Sequence, residues 1–245
     1  MIKPIIPDWP APKHVRAYST TREGGVSQGA WASLNLATHV KDDPSHVAEN
    51  RRRLSKALAI PDEPYWLEQV HGTEVVRPEL NATQCADAAF TKQSDTPCVV
   101  MTADCLPVLF CDEQGTAVAA AHAGWRGLAA GVLEQTLKCF EDPSMVMAWM
   151  GPAIGPEHFE VGGEVREIFV QQHPQAESAF VESRSGHWMA DIFQLARQRL
   201  LAAGVSQIYG GGICTYADAD HFYSFRRESI TGRMASLIWL SDDNK

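Results

Sequence analysis

Short apolar runs with no polar alternation constrain this chain more than any other feature. They fall at residues 98–101, 107–111, 145–149 and 234–240, and further β-rich runs span 65–70 and 116–121. A strand with one wet face alternates polar and apolar side chains, whereas a strand apolar on both sides has to be covered from both sides. The chain therefore calls for stacked layers. Three segments carry helix signals. Asp43-Pro44 pairs an N-cap acid with an N1 proline, and Val47, Leu54 and Leu58 recur behind it at helical spacing. A second helix is expected from about Gly127 to Phe140. A third is expected from an Asp191 cap through Ile192, Leu195, Leu200 and Leu201 to Gly204, a natural C′ glycine. No repeat or flexible linker divides the chain, so residues 1–245 read as one domain of mixed α and β structure with layered sheets.

Charge and cysteine usage narrow the function classes. The 245 residues carry a formal net charge of −9, with lysines and arginines scattered rather than striped. That field repels polyanions and argues against nucleic-acid binding through phosphates, while leaving room for a small anionic substrate held by a few local arginines. The prolines and Asp8 near the N-terminus break any secretory apolar core, and no run of about 18 apolar residues offers a membrane span. The six cysteines show no Cys-x-x-Cys spacing. Reduced thiols in the cytoplasm are the expectation.

Reactive side chains gather at three strand ends. They are His71 in Glu68-Gln69-Val70-His71-Gly72, Cys105 in Thr102-Ala103-Asp104-Cys105-Leu106-Pro107, and His122 in Ala121-His122-Ala123-Gly124-Trp125-Arg126-Gly127. Polar reactive groups in apolar strands destabilise the fold unless they are paired or ligated. Two imidazoles and a thiolate form a three-ligand zinc set that leaves the fourth tetrahedral position open, as in catalytic sites. Bound zinc would bring the pKa of a water there towards ~7. Other readings use the same atoms. Cys105 with His122 as base makes a thiol nucleophile, and a His₂Cys set also suits copper. A buried structural cysteine with two satisfied core histidines is the plain alternative. Nine histidines with no His-x-His pair argue against a multicopper oxidase.

Other candidates are softer. Arg51, on the expected first helix, faces partly inward. With Ser33 and Asn35 nearby it would grip a phosphate or ribose by forked hydrogen bonds, or else belong to a solvated basic face. Ser224-Phe225-Arg226-Arg227 and Gly232-Arg233 read as ion-paired structure. His39, His158, His173, His187 and His221 read as surface or capping histidines, with His221 beside Phe222 the one candidate for a pocket wall.

Taken together, these motifs resemble the YfiH family of laccase-domain proteins, also called the polyphenol oxidase or peptidoglycan editing factor family. The likeness rests on Gly24-Gly25-Val26-Ser27, Ser33-Leu34-Asn35-Leu36, Asn50-Arg51, Gln69-Val70-His71-Gly72, Ala103-Asp104-Cys105, His122-Ala123-Gly124-Trp125-Arg126-Gly127, Gly151-Pro152-Ala153-Ile154 and Ser224-Phe225-Arg226-Arg227. The resemblance implies an α+β fold, a single-domain α/β/β/α four-layer sandwich with mixed sheets like the cytotoxic necrotizing factor catalytic domain. It implies zinc on His71, Cys105 and His122, with copper able to load in vitro. It also implies a substrate pocket near Ser33, Asn35 and Arg51. The activities it implies are phosphorolysis of adenosine, inosine, guanosine and methylthioadenosine, and deamination of adenosine. From the residues, Asp104 beside Cys105 or Glu68 three residues before His71 is the candidate acid/base for deamination, with Asp104 alternatively a turn acid or a group that holds a histidine ligand. The alternatives are an amidase that edits peptidoglycan precursors from the same Cys/His site, and a non-catalytic metal-binding partner protein.

Overall fold

The uninterrupted apolar runs become strands packed between layers. The structure, a computed structural model, describes residues 2–80 and 83–242. In chain order it contains β1 (Val15–Ser19), α1 (Pro44–Leu58), β2 (Val75–Val76), β3 (Ala88–Thr91), β4 (Cys98–Thr102), β5 (Leu106–Asp112) and β6 (Val118–Ala123). There follow α2 (Trp125–Ala130), α3 (Val132–Leu137), β7 (Val146–Met150), β8 (Glu160–Gly162) and α4 (Gly163–Gln172). The chain continues through β9 (Phe180–Arg184), β10 (His187–Ala190), α5 (Ile192–Ala202), β11 (Gln207–Gly210) and β12 (Met234–Leu240).

A mixed six-stranded sheet has the order β11-β7-β5-β6-β3-β2, parallel at its two edge pairs and antiparallel between. A three-stranded antiparallel sheet, β1-β12-β4, lies against it. On one face of the large sheet, Phe90, Val108, Phe110 and Ala119 meet Leu128, Leu133 and Leu200 of α2, α3 and α5. On the other face, Leu109, Val118, Met147 and Trp149 meet Cys98, Val100 and Ile238 of the small sheet. The far side of that small sheet, with Val99, Leu237 and Trp239, is covered by Leu34, Leu36 and Leu54. Helices, sheet, sheet and α1 thus make four layers. Each fully buried Leu or Phe in them contributes roughly 1.5–3 kcal/mol. A small antiparallel sheet, β8-β10-β9, packs beside α4.

Asp43 caps α1 as its sequence requires, its carboxylate accepting from the Ser45 N–H at 2.8 Å. Asp191 likewise caps α5, which ends before Gly204 at φ +96°. Two expectations need correction. The helix expected over 127–140 is two helices, α2 and α3, because Gly131 takes φ +102° and ends the first before the second begins. The run at 65–70 is not a strand beyond a single bridge from Glu68 to Cys85. The Gln69 side chain exchanges hydrogen bonds with the main chain of Met101 at 2.8 Å each, and the Asp87 carboxylate takes up the amides that follow. No helix among the described residues is long and apolar enough to cross a membrane.

Candidate metal centre

The sheet topology brings together three residues that are far apart in sequence. His122 sits near the end of the central strand β6, Cys105 in the turn joining β4 to β5, and His71 in the loop before β2. Their ligating atoms all lie within 4.8 Å of one another. Cys105 Sγ is 3.8 Å from His71 Nε2, and the two imidazole rings meet edge to face at 4.8 Å. Among the described residues this is the one His/Cys/acid group arranged to hold a metal.

Asp87, just before β3, organises the site, and sequence reasoning missed it. Its side chain is fully buried and accepts from His122 Nδ1 at 2.8 Å. It also accepts the main-chain N–H groups of Val70, His71 and Gly72 at 3.2, 3.0 and 2.6 Å. One carboxylate therefore fixes the His122 tautomer, leaving Nε2 towards the site, and cradles the loop that presents His71 at φ +61°. An acid between a Cys-Ala pair and an Ala-Ala-Phe strand was the available signal, since a charge there needs partners.

Two glycines explain the spacing of the His122 motif. A Cβ on Gly124 would lie 2.8 Å from His71 Cδ2 and 3.0 Å from Cys105 Sγ. A Cβ on Gly127 would lie 2.8 Å from the Gly72 carbonyl. Glycine at both positions lets the β6–α2 turn press against the loops that carry His71 and Cys105.

The electrostatics follow from this crowding. Burial pushes the Cys105 thiol up, but the His122 charge and the hydrogen bonds to both histidines outweigh it and bring the thiol down to about 6. Burial alone would lower His122. The Cys105 thiolate and the Asp87 hydrogen bond prevail and raise it to about 9. Without metal the pair is a thiolate facing an imidazolium.

Two cavities open on these atoms. One, of about 210 Å³, is lined by His39, Gln69, Met101, Phe225 and Arg233 together with His71, Cys105 and His122. It adjoins a cleft of about 560 Å³ that shares His39, Gln69 and Met101 and adds Arg51, Trp66 and Glu68. The other, of about 370 Å³, shares His71, Cys105 and Phe225 and is otherwise walled by Trp125, Phe159 and Arg226 among others.

The softer candidates separate. Arg51 lies 3.9 Å above the Trp66 ring, with Nε donating to the Leu36 carbonyl, so the rest of its guanidinium fork remains for the cleft. Asn35 is wholly buried. Its amide donates to Ala37 and Asp42 and accepts from the Ala37 and Arg233 amides, which exhausts it. The Ser33 hydroxyl is held between the Arg22 carbonyl and the Gly25 amide. Both of these residues shape the loop under α1, and neither lines the cavities at the centre. Asp104, at φ +89°, accepts from Thr215, Ser224 and the Arg226 amide, leaving no oxygen for acid/base work. Glu68 is exposed along the Arg51 cleft. The expected ion pairs at 224–227 are largely bonds to carbonyls, with Arg227 holding those of Thr215, Tyr216 and Phe222. His221 pairs with Asp218 on the surface, and His39, read as a surface histidine, lines the pocket instead.

Residues 16–241 match a family described as multi-copper polyphenol oxidoreductase laccase. The chain is 56% identical over 243 residues to the purine nucleoside phosphorylase YfiH of Escherichia coli, covering 98% of this chain and 100% of that one. The chain belongs to the YfiH family. A purine nucleoside phosphorylase of Pseudomonas aeruginosa is 57% identical over 240 residues, covering 97% and 98% of the two chains. Solved YfiH-family relatives agree. A Neisseria meningitidis protein described under the family name DUF152 superposes with a TM-score of 0.94 at 50% identity, covering 98% and 99% of the two chains. YlmD from Geobacillus stearothermophilus does so with 0.86 at 33%, covering 94% and 93%. The laccase part of the family name sits poorly with a single three-ligand group, because multicopper chemistry needs several histidine-rich centres.

Proposed function

We propose that this chain is a zinc-dependent purine nucleoside enzyme, one domain over residues 1–245, whose main reaction is phosphorolysis at His71, Cys105 and His122. The observation that carries the reading is the meeting of a group able to hold a metal with cationic walls: Arg233 beside His71, Cys105 and His122, and Arg51 in the adjoining cleft. His39, held below its ordinary value by burial and by the two arginines, adds a neutral hydrogen-bonding group there. The activity named for relatives that match along nearly the whole chain supports the substrate class. Adenosine, inosine, guanosine and methylthioadenosine are the proposed substrates. The cytoplasm is the proposed setting, and all six cysteines are free thiols.

The donor set fits zinc, since two imidazoles and a thiolate leave one tetrahedral position open; copper would also load in vitro by the Irving–Williams order. When bound, the ion supplies Lewis-acid polarisation next to the reacting atoms. The remaining work falls to the chain. Arg51 and Arg233 hold phosphate and aim one oxygen at C1′ of the ribose, from which the purine departs with the electrons of the glycosidic bond. Asp87 keeps His122 in one tautomer throughout. Adenosine deamination is less well supported, because it needs a carboxylate that carries protons. Asp104 has its oxygens engaged, and Glu68 stands out in the cleft.

One observation favours a second reading. A Cys105 thiol held down to about 6 beside His122 is a ready nucleophile, as an amidase acting on peptidoglycan precursors would need. Substrates separate the two. Zinc-loaded protein is incubated with adenosine, with and without phosphate, and the products are followed by chromatography. Adenine and ribose 1-phosphate formed only with phosphate, and lost in His71→Ala, support phosphorolysis. If the nucleosides stay intact and a muramyl-peptide precursor is cleaved, the amidase reading replaces it.

A further inference from the structure

The ligand trio stands between two cavities of opposite character. The first, with the cleft it joins, presents His39, Arg51 and Arg233 and a single exposed acid, Glu68. The second is aromatic and apolar. Trp125, Ile154, Phe159, Val165 and Phe225 supply its large apolar wall, and its acids, Asp104, Glu160 and Glu164, outnumber Arg126 and Arg226. His71 and Cys105 face both.

Phe225 is the residue that links them. It lines both cavities, yet it is 55% exposed, although it belongs to a segment anchored on each side. Ser224 Oγ and the Arg226 amide both bond the Asp104 carboxylate, at 3.0 and 2.7 Å. The backbone is therefore held while the ring stands in solvent beside the metal ligands. The Phe225 ring, with the Arg233 guanidinium 5.8 Å from its centre, joins Trp125 and Phe159 in one apolar surface around the cavity, and a grouped apolar patch of this kind marks a ligand-binding groove. Trp125, at the N-terminus of α2, is half-buried on the same cavity, with the Arg126 guanidinium 4.5 Å from its ring. Arg226 lies 5.6 Å above Phe159 and donates to the Glu160 carbonyl, so it is held at the cavity wall with further N–H groups unspent. Aromatic faces and guanidinium planes of this kind are what bind a nucleobase by stacking.

We infer that the Trp125–Phe159–Phe225 cavity is the subsite for the purine ring, with Phe225 and Trp125 as its stacking residues, while the anion lies across the ligand trio on the Arg51–Arg233 side. This inference rests on the nucleoside reading above and adds the location and chemistry of base recognition. The division matches the ligand to the walls. A neutral planar heterocycle goes to the aromatic surface, where the excess of acids disfavours an anion, and phosphate goes to the side where Arg51 and Arg233 outnumber Glu68. The reacting ribose carbon then sits between them, against His71 and Cys105.

The test is equilibrium binding. Zinc-loaded full-length protein is titrated by calorimetry with hypoxanthine, ribose and inorganic phosphate in turn, for wild type, Phe225→Ala, Phe225→Tyr and Trp125→Leu. Phe225 is exposed, so its replacement leaves the core intact. The expected result is hypoxanthine binding weakened about tenfold or more in Phe225→Ala and in Trp125→Leu, and restored in Phe225→Tyr. Phosphate affinity stays unchanged in all of them. Unchanged hypoxanthine affinity in Phe225→Ala overturns the inference, as does a fall in phosphate affinity or a wild type that does not bind the base. If hypoxanthine binds as expected but no nucleoside is turned over, the subsite stands and the phosphorolysis reading falls.

Discussion

Replacing Gly124 with alanine adds one methyl group to the most crowded point of the centre. Gly124 has φ −62° and ψ 155°, a conformation open to any L-residue, so the backbone is not strained by the change. The whole effect is steric. The new Cβ would stand 2.8 Å from His71 Cδ2, 3.0 Å from Cys105 Sγ and 3.4 Å from His71 Nε2. Ordinary carbon contacts begin near ~3.5 Å, so His71 has to retreat by about 0.7 Å and Cys105 by about 0.5 Å. His71 belongs to a loop held by three amides on Asp87, and Cys105 to a turn held through Asp104, so neither moves freely. Metal–ligand distances tolerate only about 0.2 Å. A displacement of this size is therefore expected to weaken zinc binding at least as much as losing an outer-shell partner, about 10–100-fold. The metal-free fold should lose no more than the ~1–3 kcal/mol typical of overpacking. Zinc affinity is measured by competition with a chromophoric chelator, and stability by denaturant unfolding of the metal-free protein. Zinc bound as tightly by Gly124→Ala as by wild type would refute the packing argument and the placement of the ligands with it.

Four further expectations follow from the same geometry. Asp87→Ala removes a buried carboxylate that holds His122 and three amides, and is expected to lower stability by about 3–5 kcal/mol in chemical denaturation, with zinc affinity falling too. An unchanged unfolding midpoint would show that the carboxylate organises nothing. In metal-free protein, thiolate absorbance should rise with a midpoint of about 6, against an ordinary 9.0, and His122→Gln should move that midpoint up because burial then acts with less opposition. The depressed Cys105 gives stability that is present above pH 9 and lost as pH falls through 6. The raised His122 gives stability that is present below pH 6.5 and lost as pH rises through 9. The two slopes oppose each other between about 6.5 and 9, so stability of the metal-free protein should be nearly level there. Arg51→Ala should raise the KM for phosphate and leave that for nucleoside nearly unchanged. A KM for phosphate equal to that of wild type would remove Arg51 from the anion site.

Much of this protein was decided locally and could be read along the chain. The Asp43-Pro44 cap and the Asp191–Gly204 boundaries of α5 depend on side chains reaching amides two or three residues away. Strands β4, β5, β7 and β12 announced themselves because residues covered on both faces are apolar at nearly every position, with no polar alternation. His71, Cys105 and His122 were visible as reactive groups in otherwise apolar stretches, although the strand expected to lead into His71 does not form. What lay beyond local reading was set by partners distant in sequence. Asp87 serves residues 70–72 and 122, and no periodicity marks a carboxylate that is satisfied by a loop and a strand distant in sequence. Asn35 and Ser33 look like ligand groups in the sequence, but folding brings Arg22, Asp42 and Arg233 to them and uses up their hydrogen bonds. The segment at 65–70 has strand-like residues, yet the Gln69 side chain and the Asp87 carboxylate take the bonds that a ladder would have made. Composition and short-range spacing determine which segments are buried and where helices begin. Only the packed sheets determine which polar atoms are spent on one another and which remain, beside Cys105, for a ligand.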